Sequence, residues 1–112
     1  MAEDLKKLID SKQTQAFIKT TEQPLKGITS EQKVALNRKG NILFNEGKVE
    51  EARRVFITTG YSDGLTRVGE LDETKNKDLL ALKMYLLAHN TKKANPILEK
   101  IAGMLKIILK EE

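Results

Sequence analysis

Few residues in this chain have the types and spacing that chemistry requires. Gly60-Tyr61-Ser62-Asp63-Gly64 matches the G-x-S-x-G pattern in which a strained turn exposes a serine nucleophile. That chemistry needs a strand before the serine, an α/β sheet and a histidine base, whereas the residues before Ser62 have helical periodicity and the single histidine is His89. A helix stop at Gly60 and a helix start at Ser62 explain the five residues better. Asp72 to Asp78 has the oxygen-rich look of a calcium loop, but Lys77 stands where the turn glycine belongs and Lys83 where the bidentate glutamate belongs. His89 has no cysteine or second histidine with which to share a metal. These residues predict no catalytic group, no metal site and no cofactor, and therefore a protein that is not an enzyme.

Charge is the next feature with a chemical consequence. Among 112 residues, 20 are Lys or Arg and 16 are Asp or Glu, a net charge of +4, and the stretch from Lys75 to Lys110 holds eight lysines against Asp78 and Glu99. A basic surface raises nucleic acid as a partner. Only Arg38, Arg53, Arg54 and Arg67 could read bases in bidentate fashion, however, and a lysine-rich surface is more often simply solvated. A helix-turn-helix over Val49 to Gly60 and Ser62 to Leu71, with Arg67 on its second helix, is the alternative reading. The five aromatics, Phe17, Phe44, Phe56, Tyr61 and Tyr85, stand mostly at core-like positions, so a platform for stacking single-stranded bases is not expected.

The elements that position these residues are all helices. With 39% apolar residues the chain can build one core, and no segment alternates as a strand does, so the expectation is a single all-α domain over residues 1–112 built of antiparallel helical hairpins. Leu5, Leu8 and Ile9 open an amphipathic helix that runs toward Ala16 and Phe17, before Pro24 and Gly27 interrupt it. Thr29 and Gln32 form a capping box for a second helix, which Gly47 ends. Val49, Ala52, Val55 and Phe56 give the buried stripe of a third helix, stopped by Gly60. A short helix carries Leu65, Val68 and Leu71, and Asp72 to Lys77 reads as a polar surface connection. Leu79 to Leu87 is apolar almost all round and should lie at the centre of the core. Asn95 and Pro96 have the signature of a final helix start, which makes 78–110 a second hairpin.

Leu36, Gly40, Leu43, Gly47, Ala52 and Phe56 together resemble one tetratricopeptide repeat over residues 29–60. The resemblance implies that Gly40 and Ala52 allow the two helices to touch, that Phe56 fills the groove beneath, and that Gly47 makes the turn. Lys39, Leu43 and the lack of a proline after the second helix depart from the pattern. Setting Tyr85 and Ala94 at the positions of Leu43 and Ala52 gives a loose second copy further along the chain, with Pro96 inside its second helix.

The resemblance implies a non-catalytic module that binds a protein or peptide partner. Its ligand would lie on the inner face of the first repeat helix, at Val34, Asn37, Asn41, Phe44 and Asn45, where the asparagines offer paired donors and acceptors to an extended backbone. In the last helix, Ile97, Leu98, Ile101, Met104, Leu105 and Ile108 form one inward face, and Ile107 and Leu109 project beside it as a surplus suited to weak homodimerisation. No segment has the length and apolarity of a membrane span. The amino-terminal residues lack the apolar block of a secretory signal, so the expected location is the cytoplasm.

Overall fold

The structure, a computed structural model, describes residues 24–110. The described chain is all-α: α1 (Ser30–Asn45), α2 (Val49–Thr59), α3 (Ser62–Thr74), α4 (Asp78–Leu87) and α5 (Thr91–Lys110) follow one another with no strand among the described residues. The helix expected around Leu5 to Phe17 lies outside them.

Local chemistry sets the helix ends. The Thr29 hydroxyl accepts from the Gln32 amide while the Gln32 side chain accepts from the Thr29 amide, completing the capping box. Gly47 and Gly60 take positive φ, 83° and 71°, at the ends of α1 and α2, a conformation that carries little penalty without a Cβ. Asn37 in the middle of α1 meets Thr59 at the end of α2, and Gly40, further along α1, meets Val55 and Phe56, earlier in α2, so the pair runs antiparallel. In the next pair Ser62 meets Ala88 and Gly69 meets Tyr85, again antiparallel.

These two hairpins are copies of each other at one constant offset along the chain. Gly40, Lys48 and Ala52 recur as Gly69, Lys77 and Ala81, and Phe56 recurs as Tyr85. Backbone geometry repeats with them. Asn76 and His89 hold positive φ where Gly47 and Gly60 do, and the amides of Lys48 and Lys77 each donate, over 2.9 Å, to the carbonyls of Leu43 and Asp72. A Cβ on Gly40 would fall 2.6 Å from Phe56 Cε1, and one on Gly69 would fall 2.6 Å from Tyr85 Cε1. The core is duplicated too: Ala52, Phe56, Leu65 and Val68 belong to one buried cluster, and Ala81, Tyr85, Ala94 and Ile97 to the next.

This register, which sets Tyr85 on Phe56, replaces the alignment of Tyr85 with Leu43, and it makes 62–87 the counterpart of the first hairpin. Residues 78–110 remain in contact as α4 and α5, through a smaller interface than α4 makes with α3. The connection expected from Asp72 to Lys77 shrinks to 75–77, because α3 continues through Thr74 and Asp72 turns inward. α4 lies between α3 and α5, as its all-round apolarity requires.

Two further expectations need correction. The last helix does not start at Asn95 and Pro96: Asn90 caps it, its side-chain oxygen accepting from the Lys93 amide, and Pro96 sits inside the helix. The inward face of that helix also stops early. Ile97, Leu98 and Ala102 are buried and Ile101 is half-buried, but Met104, Leu105 and Ile108 are exposed alongside Ile107 and Leu109.

Of the packing residues expected from sequence, Ala52 and Phe56 are fully buried and Gly40 is buried. The three heavy atoms nearest a Cβ on Gly40 belong to Phe56 and Val55. Phe56 is also covered from the far side by Gly64 of α3, where a Cβ would come within 2.5 Å of the ring. Two glycines from two helices thus enclose one aromatic ring, which locks α1, α2 and α3 together.

Candidate partner-binding face

The asparagines of α1 follow one another at helical spacing, so Asn37, Asn41 and Phe44 share a face. What they do there differs. Asn37 Oδ1 accepts a 2.6 Å hydrogen bond from the Thr59 hydroxyl, which ties it to the buried end of α2. Asn41 Oδ1 accepts from the guanidinium of Arg67 on α3, and that guanidinium lies 5.4 Å from the centroid of the Phe44 ring. Asn45 is exposed at the end of α1.

Asn41, Phe44 and Arg67 therefore converge, all half-buried, where α1 meets α3. A guanidinium stacked on a ring and bonded to a neutral amide keeps its charge and several of its five donors for another acceptor. Arg67 also borders a shallow depression of about 550 Å³ with Tyr61, Asp63, Thr66 and Asn90. The Asn90 amide donates to the Thr66 hydroxyl over 3.2 Å, so this wall is fixed by the cap of α5. Arg67 thus links two surfaces, the cluster with Asn41 and Phe44 and the depression that Asp63 also borders, and its free donors can meet a carboxylate or a backbone carbonyl.

Arg67 was visible in the sequence only as a base-reading candidate. Its counterpart on the repeat is the exposed Arg38, so only the packing of α3 against α1 brings it to the site.

Ser62 and Arg53 have structural partners. The Ser62 hydroxyl donates to the Ala88 carbonyl, and Ser62 opens α3 with no strand before it. Arg53 points inward to Asp72 and Glu50 beneath a second depression of about 360 Å³ lined by Lys48, Lys75 and Lys77. Burial alone would lower the Arg53 pKa, but its hydrogen bonds to Asp72 and Glu50 outweigh that and raise it. The same hydrogen bond from Arg53 holds Glu50 below its ordinary value, against a smaller opposing effect of burial. No described helix is long and apolar enough to cross a membrane.

No family model matches the chain, and no solved structure matches it. It is 41% identical over 96 residues to an uncharacterized protein of Treponema pallidum (strain Nichols), an alignment that covers 86% of this chain and 92% of the relative.

Proposed function

This chain belongs to the same family as that Treponema pallidum protein, and for it we propose a non-catalytic function, the binding of a protein or peptide partner by a short stack of helical hairpins resembling tetratricopeptide repeats. The observation that carries this reading is the convergence of Asn41, Phe44 and Arg67 on one open face between successive hairpins. Stacked hairpins create extended surfaces lined by their first helices, and the contact of Asn41 and Phe44 on α1 with Arg67 on α3 supports reading this face as one. Asn45 extends the face along α1, while Asn37 acts as a support that holds the hairpin through Thr59.

The experiment is affinity capture from native cell extract, with the wild type compared against the Asn41→Ala/Arg67→Ala double variant. A protein retained by the wild type and lost by a correctly folded variant supports the reading. Identical capture by both would remove the site from this face. Nucleic acid is the competing partner class, and its mark would be tight duplex binding that weakens steeply with salt. A mobility shift at physiological salt that survives the double variant would replace the peptide reading with that one.

A further inference from the structure

The last helix changes character along its length. Its first half is buried through Ala94, Ile97, Leu98 and Ala102, whereas Met104, Leu105, Ile107, Ile108 and Leu109 are 42 to 60% exposed. The other exposed large apolar residues of the described chain, Leu25, Val34, Ile42 and Leu79, are scattered singly. At about 100° per residue the five side chains span an arc of about 200°, with Ile108 at its middle, and Lys106 and Lys110 occupy the opposite side.

We propose that this arc is the contact surface for a second copy of the chain, joined through a two-fold axis between the two α5 helices. Five side chains of this size, about half exposed, present roughly 500 Å² of apolar surface per chain, at the upper end of what a monomer keeps as its largest patch. A stable interface takes about 800 Å² from each partner, so the patch matches a small, concentration-dependent dimer with a few polar residues at its rim. The distribution of charge is compatible with this. Between Met104 and Leu109 no charged residue lies within the arc to select an unlike partner, and two copies meeting at Ile108 hold Lys106 and Lys110 on their outer sides, in water, so these like charges never face each other. A two-fold contact uses the same patch on both copies and closes on itself, which ends assembly at two.

Sedimentation equilibrium of the full chain from about 5 to 500 µM tests this, with an expected dissociation constant of about 10 to 100 µM. The apparent mass should rise from 12.6 kDa toward twice that value. Ile108→Lys should raise the dissociation constant at least about tenfold. Its melting temperature at low concentration should stay unchanged, because Ile108 is already exposed. A wild type that stays at monomer mass throughout would overturn the proposal, as would a dimer that Ile108→Lys leaves intact. So would a monomeric chain that pellets with vesicles of phosphatidylcholine and phosphatidylserine through this helix, since the arc would then serve a lipid surface.

Discussion

Asp72 receives two hydrogen bonds from the guanidinium of Arg53, each 2.8 Å long, and the pair joins α3 to α2 inside the protein. On the repeat, Asp72 takes the position of Leu43, and Leu82 takes that of Arg53. The ion pair therefore stands where the repeat elsewhere uses leucine. Asp72→Ala should cost about 3 to 5 kcal/mol, because it leaves a buried guanidinium with Glu50 as its remaining acid. Arg53→Leu/Asp72→Leu should recover most of that loss, since replacing both charges by apolar groups removes the desolvation penalty along with the attraction. Urea denaturation of the three proteins measures both effects. A double variant as unstable as Asp72→Ala would mean that the site requires the ion pair itself.

Phe56 and Gly64 make the second test. An added Cβ at Gly64 would meet Cγ, Cδ1 and Cδ2 of the ring, the part nearest the Phe56 backbone, whereas at Gly40 it would meet the ring's far end. The far end can tilt away more easily. Gly64→Ala should therefore destabilise by about 1 to 3 kcal/mol, more than Gly40→Ala does. Phe56→Ala should cost about 3 to 5 kcal/mol, and combining it with Gly64→Ala should cost less than the two separately, because the clash disappears with the ring. Additive losses would show that the ring and the glycine do not share one space.

Pro96 stands inside α5, beyond the first turn after the Asn90 cap, where a missing N–H leaves a carbonyl unpaired. The carbonyl of Lys92 thus loses its helical donor. Pro96 is exposed, so no packing depends on the ring. Pro96→Ala should stabilise the protein by about 1 to 3 kcal/mol, the helix-interior penalty of proline less its restriction of the unfolded chain. Thermal melts read this directly, and a lowered melting temperature would assign the proline a role in fixing the path of α5.

Tyr85 gives a pH dependence. The residue is fully buried and its hydroxyl donates to Glu73. Burial first, then the hydrogen bond and charge of Glu73, push its pKa well above 10.0. In the unfolded chain the phenol ionises near that ordinary value. The resulting stabilisation is fully present below pH 10 and is lost as pH rises from there toward the folded pKa. The urea midpoint should fall as the pH is raised above about 10, and less steeply in Tyr85→Phe. Equal slopes would assign the alkaline loss to lysines such as Lys100, whose hydrogen bond to Asp78 raises its pKa as well.

The helices of the described residues, and most of their ends, are local features legible in the sequence. Apolar spacing, the Thr29 and Gln32 box, and the glycines at 47 and 60 act over a few residues, so they can be read without knowing the fold. The repeat was also present in the letters, through Gly40 and Gly69, Ala52 and Ala81, and Phe56 and Tyr85. Two kinds of substitution obscured it. Asn76 and His89 replace glycine at positive φ, and Asp72 and Arg53 put charges where an apolar pattern expects leucine. A charged residue reads as surface until its partner 19 positions away is known to be across a helix contact.

Which side chains meet depends on how the helices pack. Arg67 joins Asn41 and Phe44 across the whole of α2 in sequence, through the packing of α3 beside α1, and nothing in the local sequence of either helix specifies that approach. The same holds for α5. Its apolar residues recur from Ile97 to Leu109 at helical spacing, and the boundary between buried and exposed falls where α4 begins beside it, at Asp78, which pairs with Lys100. Helix formation depends on neighbours along the chain, whereas burial depends on what occupies the space alongside.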